Sequence, residues 1–275
     1  MSLHPIPEAR HFDPILRPEL RSLYTVREAR LRQLAVGHDL SAFLSLAADI
    51  TAAQRAALAP VSVQGLPAEI VASGAWCAGL DTMLQHLDPI AAISPYLDRL
   101  VQMNRENRIR SGTALIEGRF DAVDPALAPF LWAAVSLAVA QSVRGTDFPP
   151  KSDEETAWCP ICGGHPVASY IHSGDRQGLR YLHCALCECE WHMVRAKCSC
   201  CGESGQLDYL SFDTAEAVVR AEACNDCGGY LKVISAERDP EAEVVADDLA
   251  TLLLDDAAVA EGFGRTGFNP FALPG

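Results

Sequence analysis

The sequence has no apolar run long enough to cross a bilayer. Its longest, Ala126 to Ala140, is 15 residues and contains Pro129 and Ser136, whereas a spanning helix needs about 20. That run reads as a buried core helix, and no membrane partner is expected. Positive charge is also scarce: 22 Lys and Arg face 36 Asp and Glu, for a formal net charge of −14. Binding to a phosphate backbone needs a basic surface, so nucleic acid is not an expected partner. The opening residues, MSLHPIPEAR, hold no apolar h-region, and no secretory signal is expected. Neither Gly-x-Ser-x-Gly nor a P-loop occurs, so the hydrolases and nucleotidases that carry them find no support, and the chain is not read as an enzyme. The first 158 residues hold one cysteine, Cys77.

The other ten cysteines lie between Cys159 and Cys227. An odd total does not suit a fully paired disulfide framework. With no signal segment, the expected compartment is the cytoplasm, where thiols stay reduced and clustered cysteines more often bind metal.

Residues 1–150 are expected to form an all-helical domain of about five to seven helices. Leu20, Leu23, Tyr24, Arg27, Leu31 and Leu34 fall on helical steps. Asp39 or Ser41 is placed to cap a helix through Phe43, Leu44, Ala47 and Ile50. Pro60, Pro67, Pro89, Pro95 and Pro125 stand at the breaks. Ser94-Pro95 reads as an N-cap followed by proline at the first helical position, and Asp124-Pro125 as the same signal before Leu127–Val143. Thr146 to Thr156 is polar and proline-bearing, the composition of a linker. Leu179–His183 and Trp191–Ala196 read as strands. After Asp239-Pro240 one acidic helix is expected, with Val245, Leu249, Leu252, Leu253 and Ala257 on one face and its carboxylates in solvent. The arginine-rich stretches (Arg21, Arg27, Arg30 and Arg32; Arg99, Arg105, Arg108 and Arg110) are likewise read as solvated helix faces, with contact to an acidic client as the alternative.

Four Cys-x-x-Cys pairs carry the chemistry: Cys159/Cys162, Cys184/Cys187, Cys198/Cys201 and Cys224/Cys227, with gaps of 21, 10 and 22 residues. The two long gaps match, so the segment is an internal duplication, and each half supplies the four thiolates of one tetrahedral site. Two sulfurs reach one ion only if the backbone turns tightly after them. Gly163, Gly202 and Gly228 follow three of the pairs and relieve that turn, while Glu188 follows the other. Each half is about 30 residues, too short for a self-sufficient core, so metal binding is expected to supply the missing stability. Cys159, Cys162, Cys184 and Cys187 are expected to hold one ion, and Cys198, Cys201, Cys224 and Cys227 the other. Interleaved pairing is the alternative, disfavoured because its loops are longer. Spacing does not separate iron from zinc. Thioredoxin-like redox chemistry lacks the βαβ pattern it needs. Cys77 reads as a core residue, Cys189 and Cys200 as bystanders, and His165, His172, His183 and His192 as less suited ligands.

The runs CPICGGHPVAS, GLRYLHCALCECEWHMVRAKCSCCG, AEACNDCGGYLK and VADDLATLLLD, with the ending RTGFNPF, resemble the formate dehydrogenase accessory (formation) protein family, FdhE. The resemblance implies a cytoplasmic maturation factor that contacts the catalytic subunit of respiratory formate dehydrogenase and has no turnover of its own. It also implies iron, one ion in each of two rubredoxin-like modules, carried by the eight paired cysteines. The expected architecture is therefore multidomain, α plus small metal-bound β. It comprises a helical domain (1–150), two tandem rubredoxin-like, zinc-ribbon-like modules (151–194 and 195–238), and a C-terminal acidic helix and tail (239–275). Two other functions stay open. One is rubredoxin-like electron transfer. The other is nucleic-acid binding by zinc ribbons, for which the modules offer few bases: Lys151, Arg176, Arg180, Arg195, Lys197, Arg220 and Lys232. The sequence also leaves a homo-oligomer open.

Overall fold

The computed structural model of the chain describes residues 13–59, 65–90, 92–144, 157–212 and 214–274. The helical spacing of the first half becomes α1 (Leu20–Ala35), α2 (Ser41–Ala56), α3 (Pro67–Ser73), α4 (Trp76–Gln85), α5 (Ser94–Gln102), α6 (Arg105–Ile116) and α7 (Ala128–Arg144). α1 starts where the Glu19 carboxylate accepts from the Ser22 amide at 2.8 Å, and α6 where Asn104 accepts from Asn107 at 2.9 Å. The proposed caps of α2 and α5 are not formed. Ser41 and Ser94 are the first helical residues, preceded by Leu40 and Ile93, which offer no side-chain acceptor. α7 is buried along most of its length, as expected of a core helix. Among the described residues no helix is long and apolar enough to cross a membrane. The expected linker, Thr146 to Thr156, lies outside the described residues, as do the 150/151 boundary, Pro60 and Lys151.

The second half is rich in sheet. Its strands are β2 (Pro166–Ile171), β3 (Arg180–Cys184), β4 (Glu190–His192), β5 (Leu207–Leu210), β6 (Val219–Cys224), β7 (Gly229–Ser235) and β8 (Gly264–Arg265). They form one sheet with β1 (Ile15–Leu16) in the order β1-β4-β3-β2-β7-β6-β5, and β8 pairs with β7. The first half is therefore not all-helical. Two residues ahead of α1 add a strand to the sheet edge, Ile15 opposite Trp191, and a strand that short carries no readable periodicity. β2 and β7, one from each cysteine segment, pair in parallel with Ser169 opposite Val233. One apolar core runs through both halves. It joins Leu31, Leu44, Trp132 and Val135 to Ile161, Val167, Leu182, Trp191, Val245 and Leu249.

The expected acidic helix is two helices, α8 (Val244–Ala250) and α9 (Leu252–Ala260). The break has a local cause. Thr251 Oγ1 bonds back to the Asp247 carbonyl at 2.8 Å, and the buried Lys232 Nζ takes the Asp248 and Thr251 carbonyls at 2.8 and 2.9 Å. Carbonyls held this way are diverted from the helical ladder. Leu253 consequently faces solvent.

The solvated-face reading of the charges holds for Arg21, Arg32, Glu241, Asp256 and Glu261, which are exposed, and is overturned for the rest of the seam. Arg27, Arg30, Glu243, Asp247 and Asp248 are buried. Arg27 Nε reaches Glu243 Oε1 at 2.9 Å while Glu243 Oε2 caps α8 through the Val245 and Ala246 amides. Arg30 grips Asp247 with Nε at 2.9 Å and Nη2 at 2.6 Å. Asp248 receives Arg265 on both oxygens and Asn269 on one. Charges spaced to lie on one helix face look alike whether that face meets water or an oppositely charged helix, which is why the pattern alone misassigned them. Here the acids of α8 and the bases of α1 face each other.

Candidate metal centres

The four cysteine pairs sit in knuckles with shared backbone bonds. Gly163, Gly202 and Gly228 each donate an amide to the carbonyl of the first cysteine of their pair, at 2.8, 3.0 and 2.9 Å. The amides of Cys159, Cys184 and Cys198 donate to Gly164, Cys189 and Glu203, at 2.9, 2.9 and 2.7 Å. The residue after each pair is left-handed. The three glycines have φ of 76°, 80° and 69°, and Glu188 has 61°, the sole positive φ of a non-glycine among the described residues. That conformation costs an L-residue roughly 1–2 kcal/mol.

The knuckles gather in sequence order, and the interleaved arrangement is not formed. The sulfurs of Cys159, Cys162, Cys184 and Cys187 lie within 4.8 Å of one another, as do those of Cys198, Cys201, Cys224 and Cys227. In the first cluster Cys159 and Cys187 are 3.5 Å apart and Cys162 and Cys184 3.4 Å; in the second, Cys198–Cys227 and Cys201–Cys224 are both 3.8 Å. These separations are far beyond the ~2.0 Å of a disulfide. They match the edge of a tetrahedron of sulfurs around a metal with bonds of ~2.3 Å, about 3.8 Å.

The donor chemistry fits a cation. Burial pushes the Cys184 and Cys187 thiols well up, so they need a positive charge among them to become thiolates. Backbone amides point at the sulfurs: Gly164 at Cys162 (3.3 Å), Leu186 and Cys187 at Cys184 (3.4 Å each), and Cys200 at Cys198 (3.3 Å). Gly164 leaves room for the first cluster. A Cβ there would stand 3.1 Å from the Cys184 sulfur and 3.2 Å from that of Cys162. Both clusters could hold a metal ion, and their surroundings differ. Cys159, Cys184 and Cys187 are buried and Cys162 half-buried, whereas Cys201 and Cys227 of the second cluster are exposed.

Around the first cluster lies a buried polar chain that the spacing did not reveal. The Glu188 carboxylate takes Arg27 Nη1 and Nη2, each at 2.8 Å, and His183 Nε2 at 2.7 Å. His183 Nδ1 faces Glu190 at 3.4 Å, and Glu190 pairs with His172 Nε2 at 2.7 Å. Burial alone would lower His183, but its bonds to Glu188 and Glu190 carry it up to about 9. Burial would raise both glutamates, and their cationic partners bring each down to about 2. From the helical half, the Trp132 indole donates to the Ala185 carbonyl inside the second knuckle at 3.1 Å. The one visible signal of this chain in the sequence was Glu188 standing where the other knuckles have glycine.

None of the four histidines enters either cluster. His172 and His183 belong to the carboxylate chain, His165 stacks edge-on to Trp158, and His192 on Tyr181. Cys77 is buried in α4, Cys189 is buried outside the cluster, and Cys200 is exposed. Two of the bases counted for nucleic acid are buried in ion pairs, Arg180 with Glu222 at 2.7 Å and Lys232 with Asp255 at 2.6 Å.

Comparison with known proteins places this architecture. Three family models match in succession: "FdhE, N-terminal" over residues 12–156, "FdhE, central domain" over 158–195 and "FdhE, C-terminal domain" over 196–272. "Protein FdhE homolog" of Yersinia pestis (strain Pestoides F) is 42% identical, covering 97% of this chain and 93% of its own. The protein of that name from Edwardsiella ictaluri is also 42% identical, over 95% and 92%. The crystal structure of the FdhE protein from Pseudomonas aeruginosa superposes with a TM-score of 0.85 at 35% identity, over 96% of this chain and 100% of that one. Matches that run the length of the chain, in sequence and in fold, show that it belongs to the FdhE family of formate dehydrogenase formation proteins.

Proposed function

We propose that the chain is a cytoplasmic maturation factor that docks on the catalytic subunit of respiratory formate dehydrogenase and acts by binding, not turnover. The observation that carries this reading is the pair of tetra-cysteine clusters in a chain of the FdhE family. Cys159, Cys162, Cys184 and Cys187 would hold one metal ion and Cys198, Cys201, Cys224 and Cys227 a second, each in a rubredoxin-like module. A complete four-thiolate set leaves no position for a substrate water, which argues against hydrolytic metal chemistry. Iron is the metal we favour, and with four thiolates it supplies a one-electron couple; zinc in the same set would be structural only. The chain's own part is to set the sulfurs, exclude water from the first cluster and aim amides at the thiolates.

The exposure of Cys201 and Cys227 favours a second reading, in which the second cluster passes an electron to a docked partner. One preparation tests both. Protein purified without oxygen is expected to carry two iron ions per chain, a visible thiolate-to-iron band that bleaches reversibly, and co-purifying dehydrogenase catalytic subunit. A colourless zinc protein would end the electron-transfer reading. Failure to recover the catalytic subunit under reducing, anaerobic conditions would end the maturation reading.

A further inference from the structure

We propose that Glu188 couples metal occupancy of the first cluster to the closure of α1 onto the sheet. The inference rests on the reading that this cluster holds a metal ion. Its starting point is a residue in the wrong place for a knuckle. Gly163, Gly202 and Gly228 adopt the left-handed turn after their cysteine pairs freely, whereas Glu188 adopts it against its side chain. The strain is tolerated because the turn aims the carboxylate away from the cluster into a buried seam. There it closes a two-pronged ion pair with Arg27 of α1, both partners almost fully buried. His183, one residue before Cys184, donates to the same carboxylate.

The consequence follows from connectivity. Glu188 is bonded directly to Cys187, so an ion gripping Cys184 and Cys187 fixes the backbone that holds the carboxylate. Without the ion the strained turn is held only from its carboxylate end, by Arg27 and His183, and Glu188 is free to relax towards negative φ. Its carboxylate then leaves Arg27, whose buried guanidinium keeps only Glu243 as a carboxylate partner. An under-paired buried charge is strongly unfavourable, and the relief available is for α1 to lift from the seam and hydrate. Trp132, bonded to the Ala185 carbonyl of the same knuckle, gives the helical half a second point of attachment. The second cluster ends in Gly228 and so has no equivalent lever.

Hydrogen–deuterium exchange on the full chain, with and without zinc loaded anaerobically and metal content measured in parallel, tests the coupling. In the unaltered protein, amides of Leu20–Ala35 are expected to exchange at least roughly a hundredfold faster once the metal is removed, the lower end of what stripping one partner from a buried pair gives. Glu188→Gly should bind the same two ions, because glycine suits the turn, yet show the fast α1 exchange whether loaded or stripped. Glu188→Gln, which keeps the shape without the charge, should fall between. If stripping unfolds the whole chain, the loaded Glu188→Gly protein decides: α1 loosened while α4 stays protected supports the coupling, and α1 as slow as in the unaltered protein overturns it. Metal-independent protection of α1 in a chain shown to gain and lose zinc also overturns it. A chain that takes up no metal at all overturns the metal reading as well.

Discussion

The two clusters are built from nearly the same spacing and placed in opposite surroundings. The first is enclosed by the helical half, with Trp132 bonded to its second knuckle and Arg27 to the residue after it. The second sits where β6 leads into β7, with two of its four sulfurs open to solvent. What separates them lies largely outside the repeat, in the bonds that α1 and α7 of the helical half make to the first. Spacing therefore sets which sulfurs meet, and the rest of the fold sets how firmly they are held and what can reach them.

The largest expected difference is between ligand substitutions. Cys184→Ser should remove one ion and most of the cooperative melt, since a structural four-thiolate site is worth on the order of 10 kcal/mol and this one lies in the shared core. Cys227→Ser should also remove one ion but leave the helical melt near its original temperature. Circular dichroism melts with metal analysis would show it, and equal losses of helix in the two variants would break the comparison.

Trp132→Phe is the next step down. It keeps an aromatic ring and orphans the Ala185 carbonyl, an expected loss of about 1–3 kcal/mol. The metal of the first cluster should become easier to remove, and that of the second should not. Competition with a graded series of chelators would read both; a shift at the second cluster would show that Trp132 acts globally.

In the unaltered protein a chelator should take the metal of the second cluster first, at least about tenfold faster, because stripping a buried site requires local opening. Stopped-flow release with a metal indicator should resolve two phases, and a single phase would contradict the exposure difference. The smallest effect belongs to Cys200→Ser. Its thiol is exposed and outside the cluster, so stability should stay within about 0.5 kcal/mol and metal content should not change. Loss of an ion would assign Cys200 a ligand role.

The sequence made the metal-bearing half legible because its signals are local. Cys-x-x-Cys with a following glycine is a short-range statement about one turn, and the matching long gaps announce the duplication. The helices of the first half were legible for a similar reason: Leu20, Tyr24, Arg27 and Leu31 share the buried face of α1 that their spacing marks. What was hidden depends on pairing across the chain. Arg27 and Glu188 are 161 residues apart, and nothing near either says that they meet. The same holds for Arg30 with Asp247, and for Lys232, whose demand for carbonyls breaks the last helix in two. The charge pattern of α8 was visible, but whether its partner was water or arginine was decided elsewhere.

The pairing of β8 with β7 carries a further consequence. Gly264 donates to the Gly228 carbonyl at 2.8 Å and Thr266 to that of Tyr230 at 2.9 Å, beside Cys227. Shortening the chain before Gly264 would strip this stretch of its neighbour and leave a raw strand margin. Such margins recruit other molecules, so truncated protein should precipitate or self-associate.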